Sequence, residues 1–429
     1  MNDREPDLLN IDTFRMWNHP AFAIFMGYVW MEMMNPVIGY SLQIIPKVPN
    51  AAIVLILCYR FLPDFLKQLV IPFSPVKWAL PFLVIASINL PFIEYQQGRS
   101  VIDLLSTWFW VLFLLPLMMR VLATPSGRWH FAVFTTASIS YLALIYLVGL
   151  ITDQFDTGGF NISYHHLAPG VILMTPIIIG YIIEKSGLTR YLLVGASILL
   201  MASAIPAGAR AIWLFIPLEL VLMILFVLPK SRIILGSVVG MVIFYAVFSS
   251  VDVRDYYSET ALDKLDVRLR KTSEWQEDDS IWRRVGMFKK AGLILRESPF
   301  LGIGYSNRSF ASYDGGDVEV LGHFSNVGKY DAHNSYLNIL AGTGILGFLA
   351  FLYYLGKVAQ LLYNIPLGLW KRIDMGTFIV SMIGSLAWFF INTNQFSSIV
   401  YQTTLIIAIY LHIHNFRIEY IVSDEEKEQ

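Results

Sequence analysis

Cysteine is nearly absent from this sequence, and charged residues are scarce. Among 429 residues the single cysteine, Cys58, lies in an apolar run, which excludes a disulfide framework and cysteine-ligated metal sites. Only 15% of the residues are charged, whereas soluble domains carry about 25%. This shortage, with 56% hydrophobic residues, predicts a polytopic membrane protein. The net charge of −1 gives no indication of nucleic-acid binding.

The familiar signatures of hydrolases and nucleotide-binding enzymes are also missing. The sequence has no HExxH, no GxSxG, no Walker loop and no cysteine pair. The acidic run Glu277–Asp279 could hold a metal ion, but its setting favours a solvated loop. We therefore predict chemistry that needs neither a metal nor another cofactor.

About twelve apolar runs have the length that crosses a bilayer. Each contains roughly 18–25 mainly apolar residues, enough for a helix to cross about 30 Å of hydrocarbon. The second is the weakest, because Arg60 and Pro63 interrupt it. The predicted spans are residues 20–45, 50–68, 77–95, 102–122, 129–151, 166–184, 189–206, 210–228, 231–250, 335–362, 375–393 and 398–416. The sequence thus predicts an all-α polytopic membrane fold of about 12 transmembrane helices.

Lys and Arg are distributed unevenly between the short loops that join these spans. With both termini in the cytoplasm, 16 basic residues fall in cytoplasmic segments and 3 in the outer loops, the asymmetry that orients membrane proteins. We predict an N-terminal transmembrane region of about nine helices (1–250) and a large periplasmic loop domain (251–334). A C-terminal transmembrane region of about three helices with a short cytoplasmic tail (335–429) completes the chain.

The loop domain is predicted to be structured and largely helical. Residues 281–298 have helical periodicity, and Pro299 ends the helix. The predicted buried stripe comprises Ile281, Val285, Phe288, Gly292 and Leu295. The sequence LGIGYSNRSF then indicates a glycine-rich turn, and Asp314–Gly316 indicates another loop tip.

His333 lies where the chain re-enters the membrane, in the sequence DAHNSYLNILAGTGILG. Asn334 or Asp331 is suited to cap a helix that begins near Ser335. The positive end of such a helix disfavours the imidazolium, which leaves His333 able to accept a proton, and it attracts an anion such as a phosphate. A histidine that only hydrogen-bonds at the membrane interface fits the same pattern.

Arginines at the outer face are the other candidates. Arg210 follows a turn softened by proline and glycine, and its planar guanidinium suits phosphate oxygens. A side chain that merely extends to the interface is the alternative. Arg283 and Arg284 open the predicted loop helix. They resemble ordinary solvated residues unless that helix packs over the mouth that contains Arg210 and His333.

Several of these segments carry a family resemblance in a fixed order. The segment from Arg284 to Ala291 is followed by Pro299-Phe-Leu-Gly-Ile-Gly-Tyr305, then by Ala-His333-Asn334-Ser-Tyr336-Leu, and then by Gly344-Ile-Leu-Gly347. This order resembles the O-antigen ligase/polymerase family of bacterial membrane glycosyltransferases. The turn Gly208-Ala-Arg210-Ala resembles the family's other arginine site, although serine or arginine–glycine is commoner beside it, and Phe288 stands where tryptophan is frequent.

The resemblance implies a GT-C-like enzyme of the bacterial inner membrane whose active site faces the periplasm. It would transfer a glycan from undecaprenyl diphosphate to an acceptor hydroxyl, inverting the anomeric carbon without a metal. His333 would be the general base, and Arg210 and Arg284 would bind the diphosphate, with Arg283 as the alternative to Arg284. The weaker candidates for substrate contacts are Asn334, Tyr336, Tyr305 and His165, beside His166.

The acceptor distinguishes the branches of that family. A polymerase extends a second lipid-linked glycan, whereas an O-antigen ligase uses lipid A-core. The motifs do not separate these branches; we expect the polymerase, and a chain-length regulator protein would then be a further partner. A flippase of lipid-linked sugars remains the alternative from another class, although the chain lacks the paired halves that many transporters have.

Overall fold

The computed structural model describes residues 75–93, 95–109, 111–112, 122, 125–152, 164–204, 210–227, 279–313, 317–320, 323–326, 332 and 334–388. The helices before the loop domain are α1 (Pro75–Asn89), α2 (Gln97–Phe109), α3 (Pro125–Thr152), α4 (Tyr164–Glu184), α5 (Gly187–Ala204) and α6 (Arg210–Phe226). The loop domain contains α7 (Asp279–Glu297), α8 (Asn307–Ser312), β1 (Asp317–Val320) and β2 (His323–Asn326). Three helices follow: α9 (Ser335–Asn364), α10 (Leu367–Trp370) and α11 (Ile373–Trp388).

The described parts of the predicted spans are helical. Two stretches, Pro125–Val148 and Ser335–Asn364, are long and apolar enough to cross a membrane by length and composition. Shorter apolar helices occupy Val76–Phe92, Gly170–Glu184, Gly187–Ser203, Phe215–Phe226 and Met375–Trp388. The predicted spans 20–45, 50–68, 231–250 and 398–416 lie outside the described residues. The helical architecture is therefore confirmed where the chain is described, while the number of spans stays a prediction.

Apolar side chains on these helices face outward, as they do in membrane proteins. On α2, Ile102 and Leu105 are exposed, whereas Ser100, Asp103 and Thr107 are buried. A helix of a water-soluble domain shows the reverse arrangement, because its polar side meets water. On a membrane helix the polar groups face the protein interior and the apolar side meets lipid.

Helices α4 and α6 both run antiparallel to α11, as the predicted alternation of spans requires. The N-terminal part of α6 meets the C-terminal end of α11, where the rings of Phe215 and Trp388 have centroids 6.2 Å apart. At the other end, Phe226 and Trp370 are 5.2 Å apart. Helix α4 is also antiparallel to α11, since the Ser381 hydroxyl donates to the Leu173 carbonyl midway along both helices, while Gly180 lies against Thr377.

The loop domain buries its apolar side chains against the first turns of α9. A cluster of buried residues, the loop cluster, joins α7, the following turn, α8 and α9. It comprises Met287, Ala291, Ile294, Ile303, Phe310, Tyr313, Ala332, Leu337 and Ala341. The described part of the loop domain is thus packed onto the membrane region rather than tethered to it.

The helix predicted after residue 280 exists, but its predicted buried stripe is wrong. Val285 and Phe288 are exposed, whereas Met287, Lys290 and Ile294 are buried. The sequence of α7 contains two apolar stripes. The stripe that α9 and the hairpin cover includes the charged Lys290, and for that reason the sequence favoured the other stripe. That lysine is accommodated because its Nζ lies 5.0 Å from the centre of the Phe310 ring, a favourable cation–π contact.

A two-stranded hairpin interrupts the predicted helical loop. Strands β1 and β2 pair antiparallel, with Asp317 opposite Asn326 and Val320 opposite His323, and α7 packs against both. The sequence DVEVLGHFSN alternates polar and apolar residues on both sides of Leu-Gly, which is a hairpin pattern. The prediction of a largely helical loop domain did not include this hairpin, which is the exception to the all-α architecture among the described residues.

Candidate functional site

The glycine-rich turn after α7 is bonded to α9 through the backbone. Gly344 has φ 65° and ψ −171° and interrupts α9, which leaves nearby carbonyl and N–H groups without partners in the helix. The turn supplies those partners. Four main-chain hydrogen bonds result, donor first: Ile303 to Ala341 (3.1 Å), Gly304 to Gly342 (2.9 Å), Ile345 to Pro299 (2.9 Å) and Leu346 to Phe300 (3.3 Å).

Glycine is required at three positions of this contact. A Cβ on Gly302 would strike the carbonyl oxygen of Ala341, and a Cβ on Gly344 would strike the backbone of Phe300. Both residues also have positive φ, which side-chain-bearing residues rarely adopt. A Cβ on Gly342 would lie 2.6 Å from the Gly304 oxygen. The motif glycines therefore let two backbones touch, and they fix the turn against the start of α9.

Helix α2 holds the same turn with its buried polar side. The Ser306 hydroxyl donates to Asp103 Oδ2 at 2.7 Å, and Arg99 Nε lies 3.3 Å from Asp103 Oδ1. The hydroxyls of Thr107 and Tyr305 lie 2.9 Å apart. Tyr305, a candidate sugar contact, is thus buried and hydrogen-bonded to α2, an arrangement that supports a structural role.

The start of α9 follows the capping pattern predicted for it. Asn334 is extended (φ −158°, ψ 115°), and its Oδ1 accepts a hydrogen bond from the Leu337 N–H at 2.9 Å. The prediction of Asn334 as the cap of a helix that begins at Ser335 is confirmed. Tyr336 is half-buried, and its hydroxyl donates to the Leu386 carbonyl at 3.1 Å. His333 lies outside the described residues; Ala332 and Asn334, its neighbours in sequence, are buried.

Arg284 lies on the exposed side of α7. One turn later on the same side is Phe288, which is 57% exposed, since residues four apart share a helix face. Gly292 continues this line, and the space beside its Cα is empty to 4 Å. One face of α7 therefore presents the accessible guanidinium of Arg284, then the exposed ring of Phe288, and then open space beside Gly292.

Arg210 is the first residue of α6, which begins at the same end of the helices as α9. Phe215 of α6 contacts Trp388 of α11, and Leu386, two residues before Trp388, accepts the Tyr336 hydrogen bond. The starts of α6 and α9 therefore converge at the C-terminal end of α11. Helix α4, antiparallel to α11, also begins at this end with Tyr164, which precedes His165. For Arg210, Arg283 and His165 the structure describes the backbone only.

The sequence interpretation missed two polar residues that the structure places in this region. Asp103 is an acid inside a predicted span, four residues after Arg99, and an ionisable residue in a span is itself a signal of a buried role. Tyr313 gave no such signal. Its hydroxyl donates to Glu297 at 2.7 Å; burial first, and this bond second, raise the pKa of Tyr313 well above the ordinary value.

The comparison with known families bears on the segment that contains these residues. Residues 195–352 match the family model described as O-antigen ligase. The match covers somewhat more than a third of the chain. It confirms the resemblance to the O-antigen ligase/polymerase family that the sequence motifs indicated. No curated protein matches the chain.

The matched segment begins within α5 and ends within α9, so it includes Arg210, Arg284, the glycine-rich turn and His333. Elements outside the matched segment hold it in place. Asn89 at the end of α1 donates from Nδ2 to the Leu301 carbonyl at 2.5 Å and to the Gly342 carbonyl at 3.2 Å. Together with Asp103 of α2, this side chain ties the first part of the chain to the family motif.

Proposed function

We propose that this protein is a periplasm-facing glycosyltransferase of the bacterial inner membrane. It transfers a glycan from undecaprenyl diphosphate to an acceptor hydroxyl, with inversion and without a metal ion. The matched O-antigen ligase domain supports an activity of the ligase and polymerase type. The donor, the sidedness and the acceptor are the parts of this proposal that go beyond that match.

The exposed face of α7 is the observation that carries the proposal. A lipid-linked diphosphate has an anionic headgroup joined to an apolar chain, and α7 offers Arg284 and Phe288 side by side on its accessible side. An arginine fork suits the phosphate oxygens, and an exposed large apolar side chain of this kind suits a lipid. Neither a soluble sugar nor a nucleotide needs both features on one helix face.

In the proposed reaction the acceptor oxygen attacks the anomeric carbon of the donor sugar. His333 takes the proton of the acceptor hydroxyl as the new C–O bond forms. The bond from the anomeric carbon to the phosphate oxygen breaks, and its electron pair leaves with the lipid diphosphate. Arg210 and Arg284 stabilise the negative charge that develops on that diphosphate. Attack from the face opposite the leaving group accounts for inversion.

The remaining candidates have smaller parts in this scheme. Asn334 caps α9 and thereby orients the segment that begins at His333. Arg283 is the alternative diphosphate ligand on α7. Tyr336 and Tyr305 would shape the site through their internal hydrogen bonds, and His165 would line the acceptor side at the start of α4.

We favour a polymerase that joins two lipid-linked glycans, with a chain-length regulator protein as its partner. The second candidate is an O-antigen ligase that uses lipid A-core, which the description of the matched family favours. A flippase of lipid-linked sugars is a third candidate, from a different functional class.

The deciding experiment uses purified full-length protein and a synthetic glycan on polyprenyl diphosphate. We expect transfer when a second lipid-linked glycan is the acceptor, and loss of transfer in His333→Ala. Lipid A-core in place of that acceptor tests the ligase. Full transfer by His333→Ala would contradict the assignment of His333 as the general base. Movement of the lipid across liposomes without glycan transfer would favour the flippase.

A further inference from the structure

A cavity of about 700 Å³ opens between the start of α3, the end of α4 and the junction of α10 and α11. Ile373 at the start of α11 lines it, whereas Leu386 near the end of that helix accepts the Tyr336 hydrogen bond. At 1.5 Å per residue these two positions are about 20 Å apart along the axis. The cavity, here called the basic cavity, lies at the end of the helices opposite to the candidate functional site.

Positive charge dominates the lining of the basic cavity. Arg128, Lys185, Lys371 and Arg372 contribute to it, and Glu184 is the one carboxylate among its described lining residues. Glu184 Oε1 lies 3.3 Å from Lys185 Nζ. The described lining thus carries four cations and one carboxylate on three separate elements, a composition that suits an anionic ligand.

Two of these cations are held in place by the protein itself. Arg128 is only 1% exposed, and its Nη1 donates to the Leu122 carbonyl at 2.9 Å. Lys185 Nζ lies 4.6 Å from the centre of the Trp129 ring and 5.7 Å from that of Tyr181. Basic residues that only orient a membrane protein extend freely into water. A buried arginine and a lysine fixed over aromatic rings form a built site instead.

Exposed apolar side chains lie close in sequence to the lining residues of the basic cavity. Leu188, three residues after Lys185, is 73% exposed, and Leu367, four residues before Lys371, is 68% exposed. Tyr191 continues the exposed side of α5. A ligand with an anionic head and apolar chains matches this arrangement, because its head fits the cavity while its chains lie along α5. Basic pockets between membrane helices bind anionic lipid headgroups in this way.

We propose that the basic cavity binds the phosphate-bearing headgroup of an anionic phospholipid. Its volume falls within the range of about 300–1,000 Å³ that small-molecule sites occupy. On the predicted topology this end of the helices faces the cytoplasm, where the membrane surface is negatively charged. The site is remote from the residues proposed for glycan transfer and does not depend on that function.

The test is native mass spectrometry of the full-length protein in detergent with added phosphatidylglycerol or phosphatidylcholine. The double variant Lys371→Gln/Arg372→Gln removes two charges from the basic cavity. The matched control Arg296→Gln/Arg308→Gln removes two exposed charges from the loop domain, at the opposite end of the helices. We expect wild type to prefer phosphatidylglycerol. The cavity variant should bind it about 25-fold more weakly, since each of the two basic residues near a lipid surface contributes roughly a factor of five.

Each other outcome overturns the proposal. Equal binding of the two lipids would mean that the headgroup charge is not recognised. An equal loss in both double variants would reduce the effect to general surface charge. Displacement of phosphatidylglycerol by millimolar inorganic phosphate would assign the cavity to a free anion. The swap Lys371→Arg/Arg372→Lys, which keeps both charges, should retain binding and separates charge from folding defects.

Discussion

The backbone N–H of Gly304 donates to the carbonyl oxygen of Gly342 at 2.9 Å, which joins the loop domain to a helix of the membrane region. The close approach is possible because Gly342 has no side chain; a Cβ there would lie 2.6 Å from the Gly304 oxygen. The loop turn and the first half of α9 therefore form one unit. On the proposed function, this unit sets the position of the start of α9, which follows His333 in the chain, relative to Arg284 on α7.

Gly344→Ala should destabilise the protein and lower glycan transfer. The new Cβ would strike the Phe300 backbone, and φ is 65° at this position. This combination of φ 65° and ψ −171° is essentially restricted to glycine and costs about 1–3 kcal/mol for a residue with a side chain, so the free energy of unfolding should fall by at least that amount. Thermal unfolding of the purified protein in detergent measures the change.

Gly292→Ala is the matched control, because the expected sign is opposite. Gly292 lies inside α7 with open space beside it. Alanine in a helix interior is more stable than glycine by roughly 0.5–1 kcal/mol. A similar loss of stability in both variants would contradict the role that we assign to the Gly344 backbone.

Much of the site's local structure could be predicted from the sequence, because it depends on short-range chemistry. The Asn334 cap, the end of α7 before Pro299 and the glycine-rich turn each follow from a few neighbouring residues. The buried side of α7 could not be predicted, since α9 and the hairpin select between two apolar stripes. The partnership of Asp103 with Ser306 likewise joins residues about two hundred positions apart, and no local pattern reports it.

Gly384 and Glu219 should show strong coupling in a double-mutant cycle. A Cβ on Gly384 would overlap the Glu219 carboxylate, and Glu219 is fully buried. Gly384→Ala should therefore lower the free energy of unfolding by about 1–3 kcal/mol, a typical cost of overpacking. In a Glu219→Ala background the same change should cost much less. Additive effects in thermal unfolding would show that the two side chains do not compete for this space.

Chelation should leave glycan transfer unchanged if the reaction proceeds without a metal ion. The proposed scheme stabilises the departing diphosphate with two arginines, which replace the charge that a divalent cation supplies in other transferases. The measurement compares transfer rates with and without an excess of a divalent-metal chelator. Loss of activity that a divalent cation restores would instead favour a metal site, and Glu277–Asp279 would be its first candidate.

Arg284→Ala should weaken binding of the lipid diphosphate more than it affects folding. The side chain is exposed, so its removal leaves no cavity, whereas a charge-assisted hydrogen bond to phosphate contributes about 1.5–3 kcal/mol. We therefore expect donor affinity to fall by roughly 10- to 100-fold. Arg210→Ala should have a similar effect, and His333→Ala should reduce transfer while it spares donor binding. Equilibrium binding of a labelled polyprenyl diphosphate measures all three.

Arg296→Ala provides the control for charge on the same helix. Arg296 is an exposed arginine in the last turn of α7. It lies on a different side of the helix from Arg284, because twelve residues make about three full turns and a further third of a turn. Its removal changes the net charge equally but should leave donor affinity intact. Equal weakening in Arg284→Ala and Arg296→Ala would mean that α7 attracts the donor only through its overall charge. If donor affinity falls only in Arg283→Ala, the diphosphate contact is assigned to Arg283 instead of Arg284.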